Sequence, residues 1–281
     1  MAVAADPRPS APRVVEIGAQ PAQLHQWTGA VWDHRSVLWM LARKDFQVRY
    51  KRATLGIIWA VAVPLLQAAV LAVIFSRFVK VPAHVPFGPF VFAGTVCWSY
   101  FSGVIGSSVS AIVDGAGLTD KVWFPRALLA VVPSIANLVS FGVSLVALIV
   151  IAPLLGAPIS PWLLVLVPAT LLLVAFSVSL SLVLSALDVY FRDVKYLVGA
   201  ALIVWMYATP VVYPQAVLGS AGRWLDFNPM TGIVNLFHLA ILGQFEDWHR
   251  SVLISVIATV VLFVVGVEAQ RRHDRLFVDL L

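Results

Sequence analysis

Residues 127–187 read ALLAVVPSIANLVSFGVSLVALIVIAPLLGAPISPWLLVLVPATLLLVAFSVSLSLVLSAL and contain no Asp, Glu, Lys, Arg or His. A transmembrane helix needs about 20 mostly apolar residues. The stretch is too long for one span and long enough for two, and Pro153, Gly156, Pro158 and Pro161 mark the break between them. Its apolar residues do not alternate with polar ones, which favours membrane helices over the strands of a β-barrel.

The rest of the chain has the same character. Of its 281 residues, 60% are hydrophobic and 12% are charged, whereas soluble domains average about 45–50% and about 25%. This composition excludes a soluble globular domain and a disordered chain. We predict an all-α integral membrane protein with a transmembrane domain over residues 53–267. The uncharged runs place its six spans near residues 53–76, 88–113, 127–152, 162–187, 196–213 and 251–267.

One apolar run does not fit this pattern. Residues 229–243 are short for a span and contain Asn235 and His238. A run of this length suits a re-entrant or interfacial helix, and a helix in a surface loop is the alternative. We predict a re-entrant segment over residues 214–250, between the fifth and sixth spans.

Basic residues predict the orientation, because Lys and Arg are enriched in cytoplasmic connections. Eight lie in residues 1–52, two in 114–126, two in 188–195 and three in the tail 268–281. The opposite side holds only Arg77, Lys80, Arg223 and Arg250. Both termini are therefore predicted to be cytoplasmic. The net charge of +5 fits contact with anionic lipid headgroups better than nucleic-acid binding, because the charge follows the membrane ends.

The two ends of the chain are predicted to be tails. Residues 1–30 are rich in Ala and Pro and lack the apolar core of a signal peptide, so we predict a disordered cytoplasmic tail. Residues 268–281 are predicted to form a second cytoplasmic tail.

The sequence lacks the residues that several kinds of site would need. Cys97 is the only cysteine, and the six histidines show no pair at ligand spacing, so we predict no metal site. The predicted spans contain no Asp, Glu, Lys, Arg or His, which disfavours an ion-coupled transporter and an intramembrane hydrolase. No G-x-x-x-x-G-K-[ST] loop occurs. We predict no cofactor on this chain, and an ATPase that drove transport would be a separate chain.

The segment 31–52 is predicted to be an amphipathic helix in the cytoplasmic interface. Trp32, Trp39 and Phe46 recur every seven residues, with Tyr50 on the same side, and Leu41 lies on the opposite side. Basic side chains along it can extend to the headgroups. They are Arg35, Arg43, Lys44, Arg49 and Lys51. A plain membrane anchor is the alternative.

Two cytoplasmic loops carry aromatic residues beside charges. The loop 114–126 contains Trp123 and Phe124, which suit a pocket on a partner protein; interfacial aromatic residues are the alternative. In 188–197, acids and bases alternate around Tyr190 and Phe191, and a short solvated turn is the alternative.

Four short motifs occur in order along the chain. They are Arg49-Tyr50-Lys51-Arg52 with Leu55-Gly56, Trp59 and Pro64; Trp123-Phe124-Pro125-Arg126; Phe191-Arg192-Asp193-Val194; and Thr209-Pro210 to Tyr213 with Asn228-Pro229. Together they resemble the membrane (permease) subunit of polysaccharide and polyol-phosphate exporters, in the type-two class of ATP-binding-cassette exporters. The resemblance covers roughly residues 35–275. Residues 1–30 match no pattern of that family.

The resemblance implies a function and partners. The subunit would form a homodimer in the plasma (inner) membrane and bind two copies of a separate ATPase that holds ATP and Mg. Its cargo would be a polyprenyl-diphosphate-linked glycan, moved to the outer face. The Ala- and Val-rich chain is similar to actinobacterial proteins, whose exporters of this family include one for lipid-linked galactan, so a galactan or O-antigen-like glycan is implied.

The resemblance also implies roles for particular residues. The interfacial helix would act as a gate, through Trp39, Arg43, Lys44, Phe46, Arg49, Tyr50 and Lys51. Coupling to the ATPase would involve Lys121, Val122, Trp123, Phe124, Pro125, Arg126, Phe191, Arg192 and Asp193. The re-entrant segment would lie at the outer mouth.

Aromatic residues in or near the spans are candidates for the glycan path, because rings can hold the C–H faces of sugars without fixing sequence. The candidates are Trp59, Trp98, Tyr100, Phe101, Trp205 and Tyr207. Contact with lipid and packing within the bundle are the alternatives. Asn137 is expected to bond a neighbouring helix or a sugar hydroxyl, and Ser177, Ser181 and Ser185 are expected to form a packing stripe.

Three other functions remain open at this point. One is a drug or lipid exporter of the same fold. Another is a membrane enzyme that acts on polyprenyl phosphates, which would need cytoplasmic acids at a metal site; Asp188 with Asp193 and Asp114 with Asp120 are the tight loop pairs. The third is a passive channel or an assembly scaffold.

Overall fold

The computed structural model describes residues 24–51, 56–74, 86–119, 124–243 and 248–273, and all of the regular structure in these ranges is helical. The helices are α1 (Leu24–Asp33), α2 (Arg35–Tyr50), α3 (Trp59–Ile74), α4 (Phe87–Ser108), α5 (Ala111–Asp114), α6 (Ala116–Thr119), α7 (Ala127–Leu154), α8 (Leu166–Tyr190), α9 (Val194–Tyr207), α10 (Pro229–Leu242) and α11 (His249–His273). Short 3-10 segments cover Gly56–Ile58, Pro161–Val165 and Gln215–Phe227. The predicted all-α class is confirmed.

Five helices of the described chain are long and apolar enough to cross a membrane. They are Gly56–Ile74, Phe87–Ser108, Ala127–Leu154, Pro161–Tyr190 and His249–Arg272. The predicted span 196–213 corresponds to α9, whose 14 residues rise only about 21 Å against a hydrocarbon core of about 30 Å. It ends there because Pro210 has no N–H and disfavours helical backbone at Thr209. A count of six spans therefore remains a prediction.

Helices extend into both of the stretches that were predicted to be tails. Helix α1 begins at Leu24, inside the stretch predicted to be disordered, because Trp27 is buried against Ala127, Ala130 and Leu182. Helix α11 continues to His273. Its last turns are held by Gln270, whose buried amide donates to the Leu182 carbonyl at 2.9 Å.

Helix α4 forms the centre of the bundle. Fifteen of its 22 residues are buried, and it packs against α3, α7, α8 and α10. Helices α8 and α11 pack closely, and Ser177, Ser181 and Ser185 of α8 are buried, as a packing stripe requires. A Cβ at Gly266 of α11 would lie 2.8 Å from the Cβ of Leu182, so glycine permits this close approach.

Helix α10 is buried inside the bundle, where it packs against α4, α8 and α11. Every residue from Met230 to Leu242 is buried, so the alternative of a helix in a surface loop is wrong. Near its start, the Ser255 hydroxyl of α11 donates to the Pro229 carbonyl, and its last residues lie near the loop between α7 and α8. The segment from α9 to α11 thus enters the bundle at Asn228 and returns along α10.

The long helix α11 connects the two ends of the bundle, so the distance between them follows from its length. Ala269 packs into a cluster with residues of α1, α2, α5 and α8. Ser255 lies about 21 Å and Arg250 about 28 Å from Ala269 along the helix axis, at 1.5 Å per residue. The end that carries α1 and α2 is therefore separated by roughly the thickness of a bilayer core from the end that carries the start of α11.

Candidate translocation site

A polar cavity of about 220 Å³ lies where α2 meets the transmembrane helices. Its walls come from α2, α3, α4 and α7, and they include Arg49, Tyr50, Trp59, Tyr100, Asn137 and Ser140. We call it the α2–α7 cavity. It brings together residues that the sequence assigned to two separate roles, the interfacial helix and the aromatic path.

Two side-chain hydrogen bonds hold α2 against α7 at this cavity. The Arg49 guanidinium donates to the side-chain oxygen of Asn137. The amide nitrogen of Asn137 donates to the Pro133 carbonyl at 2.7 Å, which orients the side chain. The hydroxyls of Tyr50 and Ser140 lie 2.8 Å apart. Asn137 thus makes the interhelical bond expected of it, and the end of α2 is attached to the middle of α7.

Trp59 and Tyr100 supply the aromatic wall of the cavity. Trp59 is 45% exposed. Tyr100 is fixed in place, because its hydroxyl donates to the Ser134 carbonyl at 3.1 Å and its ring lies 4.8 Å from that of Phe141. Apolar faces beside a few oriented polar groups are typical of small-molecule sites.

The other path candidates lie elsewhere. Trp98, Phe101 and Trp205 pack together in the core, with centroids 5.3 Å apart for Trp98 with Phe101 and for Phe101 with Trp205. Phe101 has no exposed surface. Tyr207 is exposed at the end of α9. In this conformation the first three residues pack the bundle, and only Trp59 and Tyr100 face the cavity.

Helix α2 has a second apolar side that faces away from the protein. Trp39 is 66% exposed, and Arg43, Lys44 and Lys51 are exposed beside it. Phe46 lies between this outward side of α2 and the side at the cavity, with its ring 5.1 Å from that of Tyr50. Exposed aromatic rings among cations are typical of a helix at a membrane interface.

Phe124 occupies a different place from the one its motif indicated. It is 5% exposed and packs in a cluster with Ile112, Leu128 and Val189, against which Leu41 of α2 also packs. Leu41 therefore faces the protein, which explains why it lies opposite the tryptophans. In this conformation the ring of Phe124 supports α2 and offers no surface anchor.

The remaining residues of that motif divide into two groups. Pro125 and Arg126 are also buried, at the start of α7. Lys121, Val122 and Trp123 lie outside the residues that the structure describes.

The motif that begins at Phe191 is exposed on the surface. Phe191 is 66% exposed, and Arg192 and Asp193 are exposed beside it. The turn is held from below by Asp188, which is buried and accepts the backbone N–H of Lys195 at 3.2 Å. Asp188, which the sequence offered only as half of an acidic pair, therefore positions this turn.

Asn228 organises the opposite end of the bundle. Its oxygen accepts from the Trp205 indole at 2.8 Å and from the Met230 N–H at 3.0 Å. Its nitrogen donates to the Ala208 carbonyl and the Thr209 hydroxyl, both at 2.9 Å. One side chain thus joins the motifs Thr209-Pro210 and Asn228-Pro229. An Asn before a Pro is a typical helix start, which was the available signal for α10.

Comparison with known proteins bears on these elements. A family model described as ABC-2 type transporter matches residues 36–242, from the first turn of α2 to the end of α10. The O-antigen export system permease protein RfbA of Myxococcus xanthus is 31% identical over 212 residues, which cover 74% of this chain and 80% of that protein. Two Klebsiella pneumoniae proteins of the same name are 24% and 25% identical over 249 and 256 residues, 87% of this chain and 95% of each relative. With the family match extending over the α2–α7 cavity and from α2 to α10, this chain belongs to the ABC-2 type transporter family.

Proposed function

We propose that this chain is the membrane subunit of an ATP-driven exporter that moves a polyprenyl-diphosphate-linked polysaccharide from the cytoplasmic to the outer face of the plasma membrane. The relatives that support this proposal are named as permease proteins of O-antigen export. The observation that carries it is the α2–α7 cavity, where an aromatic and hydroxyl-lined wall lies directly behind a basic helix. A galactan is one candidate cargo, by resemblance alone.

The chemistry of the cargo matches the two sides of α2. A diphosphate is attracted to Arg43 and Lys44, which are exposed on the outward side of the helix. The polyprenyl chain stays in the bilayer beside Trp39. The first sugars then meet Trp59 and Tyr100 in the cavity, where rings contact their C–H faces and the Ser140 and Asn137 side chains reach their hydroxyls.

Entry of a glycan requires α2 to move. The cavity of about 220 Å³ is smaller than an oligosaccharide, and α2 closes one wall. Separating Arg49 from Asn137 and Tyr50 from Ser140 would open it. We propose that the interfacial helix is the gate in this sense.

The driving force comes from a partner in this proposal. Two copies of a cytoplasmic ATPase, which hold ATP and Mg, bind a homodimer of this chain, and Phe191, Arg192 and Asp193 form the accessible contact. Residues Lys121–Arg126 keep their proposed coupling role, with Phe124 acting through α2. Both termini are cytoplasmic in this arrangement, which agrees with α1 and the end of α11 lying at one end of the bundle.

The test is co-purification followed by transport. The tagged chain is solubilised in several mild detergents, and proteins present in stoichiometric amounts are identified. We expect a P-loop ATPase at one copy per chain, and ATP-dependent delivery of a lipid-linked glycan after reconstitution with it. A preparation without an ATPase in every detergent would contradict the proposal. If ATP drives the movement of lipids or drugs and not of glycan, the chain is an exporter subunit but the proposed cargo is wrong.

A further inference from the structure

A second polar pocket lies at the end of the bundle far from α2. It has a volume of about 460 Å³. It is formed by the 3-10 segment and the start of α11, through Gln215, Gly219, Gly222, Arg223, Asp226 and Arg250. We call it the Arg223–Arg250 pocket. Since Arg250 lies about 28 Å along α11 from the cluster beneath α2, this pocket faces the opposite side of the membrane from the α2–α7 cavity.

The pocket collects cations on a side of the membrane where the chain has few. Of the four basic residues that the sequence assigns to the outer side, Arg77 and Lys80 lie outside the described residues, and the other two both line this pocket. In the part of the chain that the structure describes, neither Arg223 nor Arg250 forms an ion pair. The Arg250 guanidinium is held 5.0 Å above the Phe227 ring. Asp226 is the one carboxylate in the described lining, so two positive charges face a single negative charge and a bound anion would reduce their repulsion.

The floor of the pocket is built by hydrogen bonds. The buried Gln215 amide donates to an Asp226 carboxylate oxygen at 3.1 Å and to the Gly222 carbonyl at 3.4 Å, and its oxygen accepts from Asn235 of α10 at 3.1 Å. A Cβ at Gly222 would lie 2.5 Å from the Gln215 carbonyl oxygen, and Gly219 has a φ of +55°. Two glycines are therefore required for the chain to fold around this amide.

These groups define the chemistry of a ligand. Two guanidinium groups favour a phosphate, which accepts several N–H bonds at once. The Asp226 carboxylate is anchored by Gln215 and can accept from a hydroxyl next to that phosphate. Beside the pocket, Trp224 is 75% exposed and Phe227 is also exposed, as aromatic residues at the headgroup level of a membrane are.

We propose that the Arg223–Arg250 pocket binds a phosphate group on the outer side of the membrane, with Asp226 selecting phosphates that carry a neighbouring hydroxyl. A phospholipid headgroup and a soluble phosphate share this chemistry. The proposal depends on the orientation of the chain and is independent of the exported cargo.

The test measures ligand binding to the purified full-length chain in an uncharged detergent, through the shift of its thermal unfolding midpoint. Short-chain phosphatidylglycerol is one probe, and inorganic phosphate is the other. We expect Arg223→Gln and Arg250→Gln each to weaken binding about tenfold, as the loss of a charged hydrogen bond does. Arg223→Lys, which keeps the charge and loses the forked geometry, should weaken it less. Arg272→Gln removes the same charge at the other end of α11, where the side chain is exposed, and this variant should bind normally.

The two probes identify the source of the phosphate. Binding of phosphatidylglycerol that inorganic phosphate does not displace supports a lipid headgroup, and binding of both supports a soluble phosphate. Asp226→Asn removes the carboxylate that would accept from the glycerol hydroxyl. We expect this variant to lose the preference for phosphatidylglycerol over inorganic phosphate. Equal binding of both probes to the native chain and to the Arg223→Gln/Arg250→Gln variant, if that variant unfolds as cooperatively as the native chain, would overturn the proposal. The assay contains neither ATPase nor glycan, so its result does not depend on the exporter function.

Discussion

The two ends of the helical bundle hold their polar contacts in different ways. At the end that carries α2, two part-buried side-chain hydrogen bonds, Arg49 with Asn137 and Tyr50 with Ser140, join α2 to α7 beside a cavity. At the other end, Asn228 makes four hydrogen bonds at the entrance to α10, which is buried throughout. A hydrogen bond contributes about 0.5–1.5 kcal/mol net. Freeing α2 from α7 breaks two such bonds, whereas displacing the start of α10 breaks four and uncovers a buried apolar helix. The comparison indicates that α2 moves at low cost while the opposite end stays fixed.

The largest expected effect lies beneath α2, where the comparison is most easily broken. Phe124→Ala should lower the free energy of unfolding by about 3 kcal/mol, because it removes a buried ring from the cluster that supports Leu41. Thermal unfolding in detergent measures this change. A variant as stable as the native chain would mean that the ring does not support α2, and the end that carries it would then be looser than the structure indicates.

Asn228→Ala tests the fixed end. We expect a loss of about 2 kcal/mol, because the helix start at Met230 and the bonds to Trp205, Ala208 and Thr209 all depend on this side chain. Asn228→Asp is the matched control, since it keeps the acceptor for Met230 and Trp205 and loses both donated bonds. The stability of Asn228→Asp should lie between those of Asn228→Ala and the native chain. Equal stability of all three proteins would remove the contrast between the ends.

The sequence predicted those parts of the fold that depend on local composition. Long apolar runs located α4, α7, α8 and α11 to within a few residues, because burial in lipid selects for them directly. Helix α9 was predicted too long, because hydropathy alone continued past the stop that Pro210 imposes. Helices α1 and α11 extend into the predicted tails through contacts of Trp27 and Gln270 with residues more than 80 positions away, which no local pattern reveals.

The candidate site was predictable only in part, for a similar reason. A seven-residue spacing identified Trp39 and the exposed side of α2. It left Leu41 unexplained, because the cluster around Phe124 on which Leu41 packs cannot be read from the spacing. From sequence alone, an aromatic residue in a loop, such as Phe124, could either anchor a partner or fill the protein's own core. The packing of Phe124 with Leu128 and Val189 shows that it fills the core. The convergence of Arg223 and Arg250 likewise depends on the return of the chain along α10.

Smaller effects are expected where α2 meets α7. Asn137→Ala should lower stability by about 1 kcal/mol and change export more than the amount of protein in the membrane, because it frees Arg49 while the core stays intact. Tyr50→Phe tests the second bond, as it removes the hydroxyl that faces Ser140 and keeps the ring beside Phe46. Export is measured as glycan at the cell surface per subunit in the membrane. Native export in the Asn137→Ala/Tyr50→Phe double variant would show that these two bonds do not control the movement of α2.

The smallest effect on stability is expected at the exposed turn after α8. Phe191→Ala should change the free energy of unfolding by less than about 0.5 kcal/mol, because the side chain has little to lose on truncation. If the turn contacts an ATPase, the same change should still lower both export and the amount of ATPase that co-purifies. Lys195→Ala provides a control, since the Asp188 bond that holds the turn uses the backbone N–H of Lys195 and survives the substitution. Together with Phe124→Ala, this pair separates two causes of lost export at one end of the bundle. Loss through Phe124 comes with loss of stability, and loss through Phe191 comes without it. A Phe191→Ala subunit that binds and exports normally would assign coupling to the loop before α7 instead.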